Sequence, residues 1–578
     1  MSEQAGTPLK LVKKKKIDLS HAIQEKVQEL SSEDRVLNTD YGITMENILQ
    51  ISDGGEFALS RFMCKHLSGL YCYDTSSRKM RRFNGSVWVD DEKNEIFSDF
   101  KRLQRALLEA LDAADNLTEE GSKFIRKTLL ALNRGAGLSS LAALVASGSD
   151  GLGVPGEIFD ADPRYVGAPN GVIDLRTGQL LDADPGKYIT KVVGCEYNQD
   201  AKIPTLFLNT LAEIFKYPYL KPDKDEFGAE IRDQVDPIDL SVYSEEEQRV
   251  HKKKQEAAHE ANLENEKRFW VKNQEQAREL IAFLQRLIGY SLLGTGEEHI
   301  FIVLLGIGRN GKGIFVRSAL RVLGDYAGEV RPEILIKNYH SRQSSSPTPE
   351  ILDLKGQRLV VASETNQGEF FDTGQVKRLT GGDTLVGRAL YGRKEVRFKP
   401  THTIGLQTNF PPNAPAEDIA FWDRLILIPF NRRFVTEPDP DNPYEAVIDK
   451  KLEDKLMSES ESILKWIVDG AIAYQEEGLN PPACIRDAVE TYKSKGDYFA
   501  DFIDECCVTG EYCKERTSEF VQCFNEWRKA QGMNRTLSAK VIAERLERRG
   551  FPKKKTGGHH YFMNINLDAG AHEYRNKD

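Results

Sequence analysis

The period of the apolar positions changes several times along the chain. Leu103, Leu107, Leu108 and Leu111 recur at helical spacing, as do Leu129, Leu130 and Leu132, so residues 55 to 150 read as mostly helical. Two apolar stretches interrupt them, Leu70-Tyr71-Cys72-Tyr73 and Ser86-Val87-Trp88-Val89, and these read as short strands. Further on, Asn170-Gly171 lies within Ala168-Pro169-Asn170-Gly171-Val172-Ile173-Asp174-Leu175 and predicts a hairpin between two short strands. Apolar positions thin out between 221 and 275, where Ser244-Glu245-Glu246-Glu247 and Lys252-Lys253-Lys254 predict an exposed helical insertion or a solvated arm. The core pattern returns with Phe283, Leu284, Leu287, Ile288 and Leu292, an apolar helix. Strand-type segments follow at 300–305, 358–362, 396–398 and 403–407, with helical patterns between several of them, and this alternation predicts an α/β sheet domain. Ile463–Val468 opens another helical stretch to about 480, Pro481-Pro482 marks a linker, and 485–567 reads as a helical segment that ends in a strand at 561–565.

Length and composition narrow the class. The 578 residues make about three to four domains. Hydrophobic residues are 40% and charged residues 29%, an ordinary globular mixture that excludes a wholly disordered chain. The apolar run Phe301–Leu305 is far short of the ~18 residues that span a bilayer, and the first residues lack the layout of a signal peptide. The formal net charge of −10 excludes a nucleic-acid coat protein but leaves room for local basic patches. The lysine run 13–16 reads as part of a solvated tail, with a DNA or targeting role as the alternative. Eight cysteines without a CxxC pair give no disulfide framework or zinc site, hence a reducing, cytoplasmic setting.

The sharpest chemical signal is Gly306-Ile307-Gly308-Arg309-Asn310-Gly311-Lys312-Gly313. It follows the apolar strand 301–305 and precedes the helical pattern Ile314–Leu320. Glycines let such a loop wrap backbone N–H groups around phosphate oxygens, and the following helix aims its positive end at the same anion. Lys312 would reach the β and γ phosphates of a nucleotide. The residue after the lysine, normally Ser or Thr with its hydroxyl on Mg²⁺, is Gly313. A glycine-rich turn without function is the plain alternative.

Arg358-Leu359-Val360-Val361-Ala362-Ser363-Glu364 is a buried strand that ends in an acid. Glu364 can orient or deprotonate an attacking water and take part in the shell of Mg-ATP, while Ser363 stands where an aspartate often serves the metal. Thr403–Asn409 forms a third strand whose terminal amide, Asn409, can contact the γ phosphate; an asparagine that merely starts the turn before Pro411-Pro412 is the alternative. Arg424, 15 residues past Asn409, is a candidate arginine finger, a cation that stabilises a transferring phosphoryl group and is often supplied by a neighbouring subunit. Arg432 and Arg433 compete for that role.

Together these features resemble superfamily III helicases, and most of all the helicase half of phage and plasmid primase-helicases and their poxvirus relatives. The resemblance covers roughly 55 to 567, apart from the insertion. It includes Pro169–Leu175, Leu287–Leu292, Lys377-Arg378-Leu379-Thr380-Gly381-Gly382-Asp383 and Ile428-Pro429-Phe430. It implies an α/β, AAA+-like P-loop ATPase core with a helical or mixed N-terminal region and a C-terminal winged helix. It implies ATP and Mg²⁺ as cofactors, Lys312 as phosphate-binding lysine, Glu364 as catalytic acid, Asn409 as sensor and Arg424 as finger in trans. It also implies a homo-hexameric ring moving 3′ to 5′ on single-stranded DNA, and a pore hairpin, here Ala389–Glu395. Arg393 and Lys394 at its tip would meet phosphates, and Tyr391 could stack on a base. No cysteine cluster or acid pair for a primase is visible, so a separate primase is expected.

The expected organisation is a basic tail (1–50), a pre-helicase domain (51–215), a charged insertion (216–278), the ATPase domain (279–480) and a winged helix (485–578). Residues 528 to 555 hold ten Lys/Arg against two acids. Lys540, Arg545, Arg548 and Arg549 on one helix and Lys553, Lys554 and Lys555 on the wing are the candidate duplex-DNA contacts, with a protein-docking module as the alternative. The expected function is a replicative DNA helicase of a phage, satellite or plasmid in a bacterial cytoplasm. The rivals are an origin-binding initiator, a catalytically weak ring that loads a host helicase, and a primase-helicase.

Overall fold

A computed structural model describes residues 36–114, 117–148, 150–219, 245–337, 348–366, 369–390, 395–495, 498–531, 536–571 and 574. They separate into two units, 1–201 with 323–325, and 202–322 with 326–578.

The described part of the first unit is helical around a large core, with two small sheets and a short two-stranded pair, 36–38 with 43–44. Helix Met45–Leu67 starts at a reciprocal cap in which the Thr44 side chain accepts from the Asn47 N–H and the Asn47 side chain accepts from the Thr44 N–H. In helix Glu95–Asp112, Ile96, Phe100, Leu103, Leu107 and Leu111 repeat every three or four residues and are all buried. They meet Phe62, Met63 and Leu67 of Met45–Leu67 and Ile125 and Leu129 of Glu119–Ala131. One sheet runs in the order 88–90, 79–83, 71–74, 153–154; the other is the meander 165–168, 171–174, 179–181. The expected hairpin is present one residue earlier than anticipated, with Ala168 opposite Gly171 and the loop at Pro169-Asn170. Asn170 is spent on structure: its amide donates to the Tyr197 carbonyl at 2.9 Å and its oxygen accepts from the Tyr197 N–H at 3.0 Å.

In the second unit, helix α1 (Thr205–Ile214) precedes α2 (Glu245–Leu293), a single 49-residue helix. The boundary expected at 278/279 therefore falls inside one continuous element. Charged sequence and apolar sequence share it because helix formation follows local backbone preference, whereas the composition only decides what each turn faces. Its last turns, with Phe283, Leu284 and Leu287, are buried. They cross a helix at Ser460–Glu477, where a Cβ on Gly289 would lie 2.1 Å from the Ala471 nitrogen and one on Gly470 would lie 2.1 Å from the Gln285 carbonyl oxygen. Two glycines thus permit a backbone-to-backbone approach, which accounts for the glycine of the 287–292 segment.

The centre is a five-stranded sheet made of β1 (Phe301–Leu305), β2 (Ala327–Val330), β3 (Leu359–Ser363), β6 (Thr403–Thr408) and β7 (Leu425–Pro429), in the spatial order β2-β3-β6-β1-β7. Every pairing is parallel. Parallel strands are covered on both faces, so they read as unbroken apolar runs, and β1 and β7 are such runs. Between β3 and β6, β4 (Leu385–Gly387) and β5 (Val396–Phe398) form a separate antiparallel pair. The strand expected at 396–398 is therefore half of a hairpin, not a member of the central sheet. The sequence reading missed β2, whose Ala-Gly-Glu-Val carries little apolar signal, and β7.

Pro481-Pro482 does not separate two domains. The helix after it, Ala483–Lys495, packs on the sheet core through Ala488, Val489 and Tyr492, whose ring stands 5.3 Å from that of Trp422. The C-terminal layer starts later, with α4 (Tyr498–Cys506), β8 (Cys507–Arg516), α5 (Thr517–Ala530), α6 (Ala539–Arg548), β9 (Lys553–Thr556) and β10 (His559–Leu567). The three strands are antiparallel in the order β8-β10-β9. Phe502, Phe520, Phe524, Trp527, Ile542 and Phe562 fill the space beneath. The turn between β9 and β10 is Gly557-Gly558, both at positive φ (58° and 86°), the backbone that a tight two-residue hairpin needs. Neither α4 nor β8 was anticipated as a separate element.

Candidate functional site

β1, β3 and β6 end at the same edge of the sheet, and three of the expected side chains meet there. The loop after β1 turns through Gly308 (φ 87°), Arg309 (φ 49°) and Gly311 (φ 88°) before α3 (Lys312–Leu323) begins. Its shape is fixed from below. Leu305 accepts from the Phe430 N–H at 2.7 Å, and the buried Asn310 donates from its amide to the Phe430 carbonyl at 3.3 Å. The Phe430 ring rests against Phe215 (4.8 Å) and Phe315 (6.4 Å). The Ile428-Pro429-Phe430 segment is thus the floor of the loop. Gly311 is needed on two counts: its positive φ, and the Ile214 Cδ1 that would lie 2.5 Å from an added Cβ.

Lys312, the first residue of α3, is 4% exposed. Its ammonium donates to the Gly306 carbonyl and, at 3.0 Å, to Asn409 Oδ1 at the end of β6. Burial pushes its pKa down to about 8, against the opposing pull of the Glu364 carboxylate. Glu364 follows β3 in a left-handed backbone conformation (φ 60°), with its N–H bonded to the Gln407 carbonyl at 2.8 Å. Non-glycine residues seldom adopt that conformation, and such departures gather at functional sites. It turns an exposed carboxylate into the cleft that Lys312 and Asn409 also line.

This cleft has a volume of about 650 Å³, in the range of ligand pockets. Its far wall is built by residues that sequence reasoning did not single out. α1 contributes Leu206, Asn209 and Glu213, and the 447–453 segment contributes Ile448 and Glu453. α1 is fastened there by Glu459, whose carboxylate accepts from the N–H groups of Leu206 (3.0 Å) and Phe207 (2.9 Å) at its first turn. No local signal could have found α1, because it precedes the loop by about a hundred residues.

The three candidate finger arginines are told apart. Arg432 is buried and paired with Glu213 of α1. Arg433 reaches Glu445 at 3.7 Å. Arg424 lies at the opposite edge of the sheet, its carbonyl accepting from Phe301 at the start of β1 and its guanidinium donating to the Ala420 carbonyl at 2.5 Å. With five-residue strands between them and ~3.3 Å per residue, that edge is about 16 Å from the loop.

The basic C-terminal residues divide as well. Lys540, Arg548, Lys553, Lys554 and Lys555 are exposed. Arg545 and Arg549 are turned inward, each with its guanidinium over the Phe499 ring (5.5 and 5.7 Å). Arg549 also donates from Nε (3.0 Å) and Nη2 (2.8 Å) to Glu417, in the loop between Asn409 and Arg424. It fastens the C-terminal layer to the sheet domain and does not stand on the basic face. Tyr391, Arg393 and Lys394, the expected pore-hairpin tip, lie outside the described residues. The paired strands β4 and β5 flank that segment in sequence.

Fold and site define a mixed α/β protein with a parallel sheet and a glycine-rich loop, a lysine, an acid and an amide gathered at one sheet edge. Residues 60–216 match the family model described as D5 N terminal like. The chain carries this domain, the N-terminal part of the D5-type primase-helicase family, and is a homologue of viral proteins named as putative helicases and primases. It is 29% identical over 279 residues to a putative helicase of Acanthamoeba polyphaga mimivirus (46% of this chain, 28% of that one). It is 22% identical over 424 residues to a putative helicase of Frog virus 3 (66% and 40%). It is 25% identical over 262 residues to a putative primase of African swine fever virus (43% and 27%). The matched part thus spans between 27% and 40% of the length of these relatives. The apo structure of the NrS-1 C terminal region aligns over 88% of this chain and 99% of that one, with 10% identity and a TM-score of 0.42.

Proposed function

We propose that this chain is an ATP-hydrolysing DNA helicase of viral or phage-type replication, built on a P-loop and working as a homo-hexameric ring on single-stranded DNA. The observation that carries the reading is the position of the Lys312 ammonium, held between Gly306 and Asn409 at the mouth of a cleft into which Glu364 turns. With nucleotide bound, the γ phosphate would replace those neutral oxygen partners. The loop N–H groups and the N-terminus of α3 would hold the other phosphates. Glu364 would orient the attacking water. One carboxylate beside a triphosphate suits Mg²⁺, which keeps most of its waters and takes few protein ligands; it would neutralise phosphate charge. Gly313 brings no hydroxyl to it.

Arg424 stands at the sheet edge opposite its own chain's cleft, which favours its acting in a neighbour's site in a ring. The helix–strand–helix–helix–hairpin order of 498–567 supports a winged-helix reading, in which Lys553–Lys555 would stand on the wing. Those exposed lysines favour backbone contacts to duplex DNA, which position a protein without choosing sequence. The primer would come from a separate primase.

The test is hydrolysis by mixed rings. Lys312→Ala and Arg424→Ala are each expected to be inactive, with Arg424→Ala retaining nucleotide binding. Mixing the two should restore part of the activity, because some interfaces then join an intact loop to an intact finger. Arg424→Ala with full activity on its own would refute the finger assignment.

A further inference from the structure

The residue after the loop lysine carries no side chain, and the structure shows what occupies the vacated space. Arg317 lies one helical turn beyond Gly313 on α3, and helical side chains lean toward the N-terminus of their helix. A Cβ on Gly313 would stand 2.7 Å from Arg317 Nη1. The rest of the guanidinium is held from the other side. Nε lies 3.0 and 3.1 Å from the two Glu453 carboxylate oxygens and Nη2 lies 2.9 Å from one of them. Gly313, Arg317 and Glu453 all line the cleft.

We propose that Arg317 is a direct phosphate ligand of the bound nucleoside di- or triphosphate, positioned by Glu453 across the bare backbone of Gly313. This rests on the reading of the cleft as a nucleotide site. The chemistry differs from that of the usual hydroxyl, which acts through Mg²⁺. A guanidinium brings a fixed charge and planar donors that match phosphate oxygens. Nη1, the nitrogen outside the Glu453 pair, is the one nearest Gly313. Both partners are substantially exposed (53% and 41% of the side chain), so the ion pair is weak enough to yield to a phosphate. A side chain at 313 would meet the guanidinium and push it aside.

The test is equilibrium binding of fluorescent ADP and ATP analogues to the full chain, with and without Mg²⁺. Arg317→Gln is expected to weaken both at least tenfold, and to do so in EDTA as well. Glu453→Gln, which frees the guanidinium without removing it, should weaken them less. Gly313→Ser should itself weaken binding, by displacing Arg317. Gly313→Ser/Arg317→Gln should lose less than the sum of its single changes, and regain affinity only when Mg²⁺ is present. Thermal unfolding of each variant serves as the folding control. If wild type binds nucleotide, Lys312→Ala abolishes binding and a folded Arg317→Gln binds like wild type, the Arg317 proposal alone fails. Equal losses in Arg317→Gln and Glu453→Gln, with matching losses of thermal stability, would also overturn it in favour of a structural pair. A wild type that binds no nucleotide removes the underlying reading along with it.

Discussion

The burial of Lys312 would make the proposed nucleotide binding depend on pH in a range where an ordinary lysine does not titrate. Its ammonium is buried, and desolvation lowers its pKa from 10.5 to about 8. The sign follows from which form binds. The charged form holds phosphate, is present below the lowered pKa, and is lost as pH rises through about 8. Such a lysine is roughly 90% charged at pH 7, half charged at pH 8 and roughly 10% charged at pH 9. A bound polyphosphate restores the pKa toward its ordinary value, so the proton must be taken up on binding above pH 8. Affinity should therefore fall about tenfold between pH 7 and pH 9, or about 1.4 kcal/mol. The assay is fluorescence titration of an ADP analogue in EDTA at half-unit steps of pH. Lys312→Arg keeps its charge throughout and should bind more weakly but with a flat profile. A wild-type affinity constant from pH 7 to pH 9, or a Lys312→Arg profile that falls in parallel with it, refutes the reasoning.

Three other outcomes are expected. Gly311→Ala forces a Cβ onto Ile214 at positive φ and should weaken nucleotide binding at least tenfold in a protein that still folds, measured by the same titration with circular dichroism as control. Arg549→Ala leaves the Glu417 carboxylate, only 9% exposed at its side chain, without its cation, and should destabilise the chain by about 2–3 kcal/mol in denaturant unfolding; a change below about 0.5 kcal/mol would contradict the fastening role. Neutralising Lys553, Lys554 and Lys555 together should lower duplex-DNA affinity and reduce the slope of log K against log salt by up to about 2.7, while Arg549→Ala leaves that slope unchanged.

What could be read from the sequence divides along physical lines. The glycine-rich loop and the acid were legible because each follows an apolar run, and the amide because it closes a third strand-type segment; parallel strands bring their carboxyl ends to one edge. β2 escaped because an edge strand of Ala-Gly-Glu-Val carries no such run. The extent of α2 escaped because charge marks exposure, not the end of a helix. The wall formed by α1 depends on contacts between distant segments, such as Glu459 with Leu206, and no period or motif encodes these. Arg549 and Arg545 counted as basic surface in the sequence, yet a guanidinium can lie flat on an aromatic ring and reach a buried carboxylate. Gly313 was visible as a departure from the usual loop, whereas the Arg317 guanidinium beside it was not.

The central claim is that Lys312, Glu364 and Asn409 form a nucleotide-hydrolysing site coupled to DNA. The most direct measurement is the ATPase rate of the purified chain with and without single-stranded DNA, alongside Lys312→Ala. The account predicts hydrolysis that DNA stimulates and Lys312→Ala abolishes. A folded, oligomeric wild type that hydrolyses no ATP in either condition, or a Lys312→Ala variant as active as wild type, contradicts it.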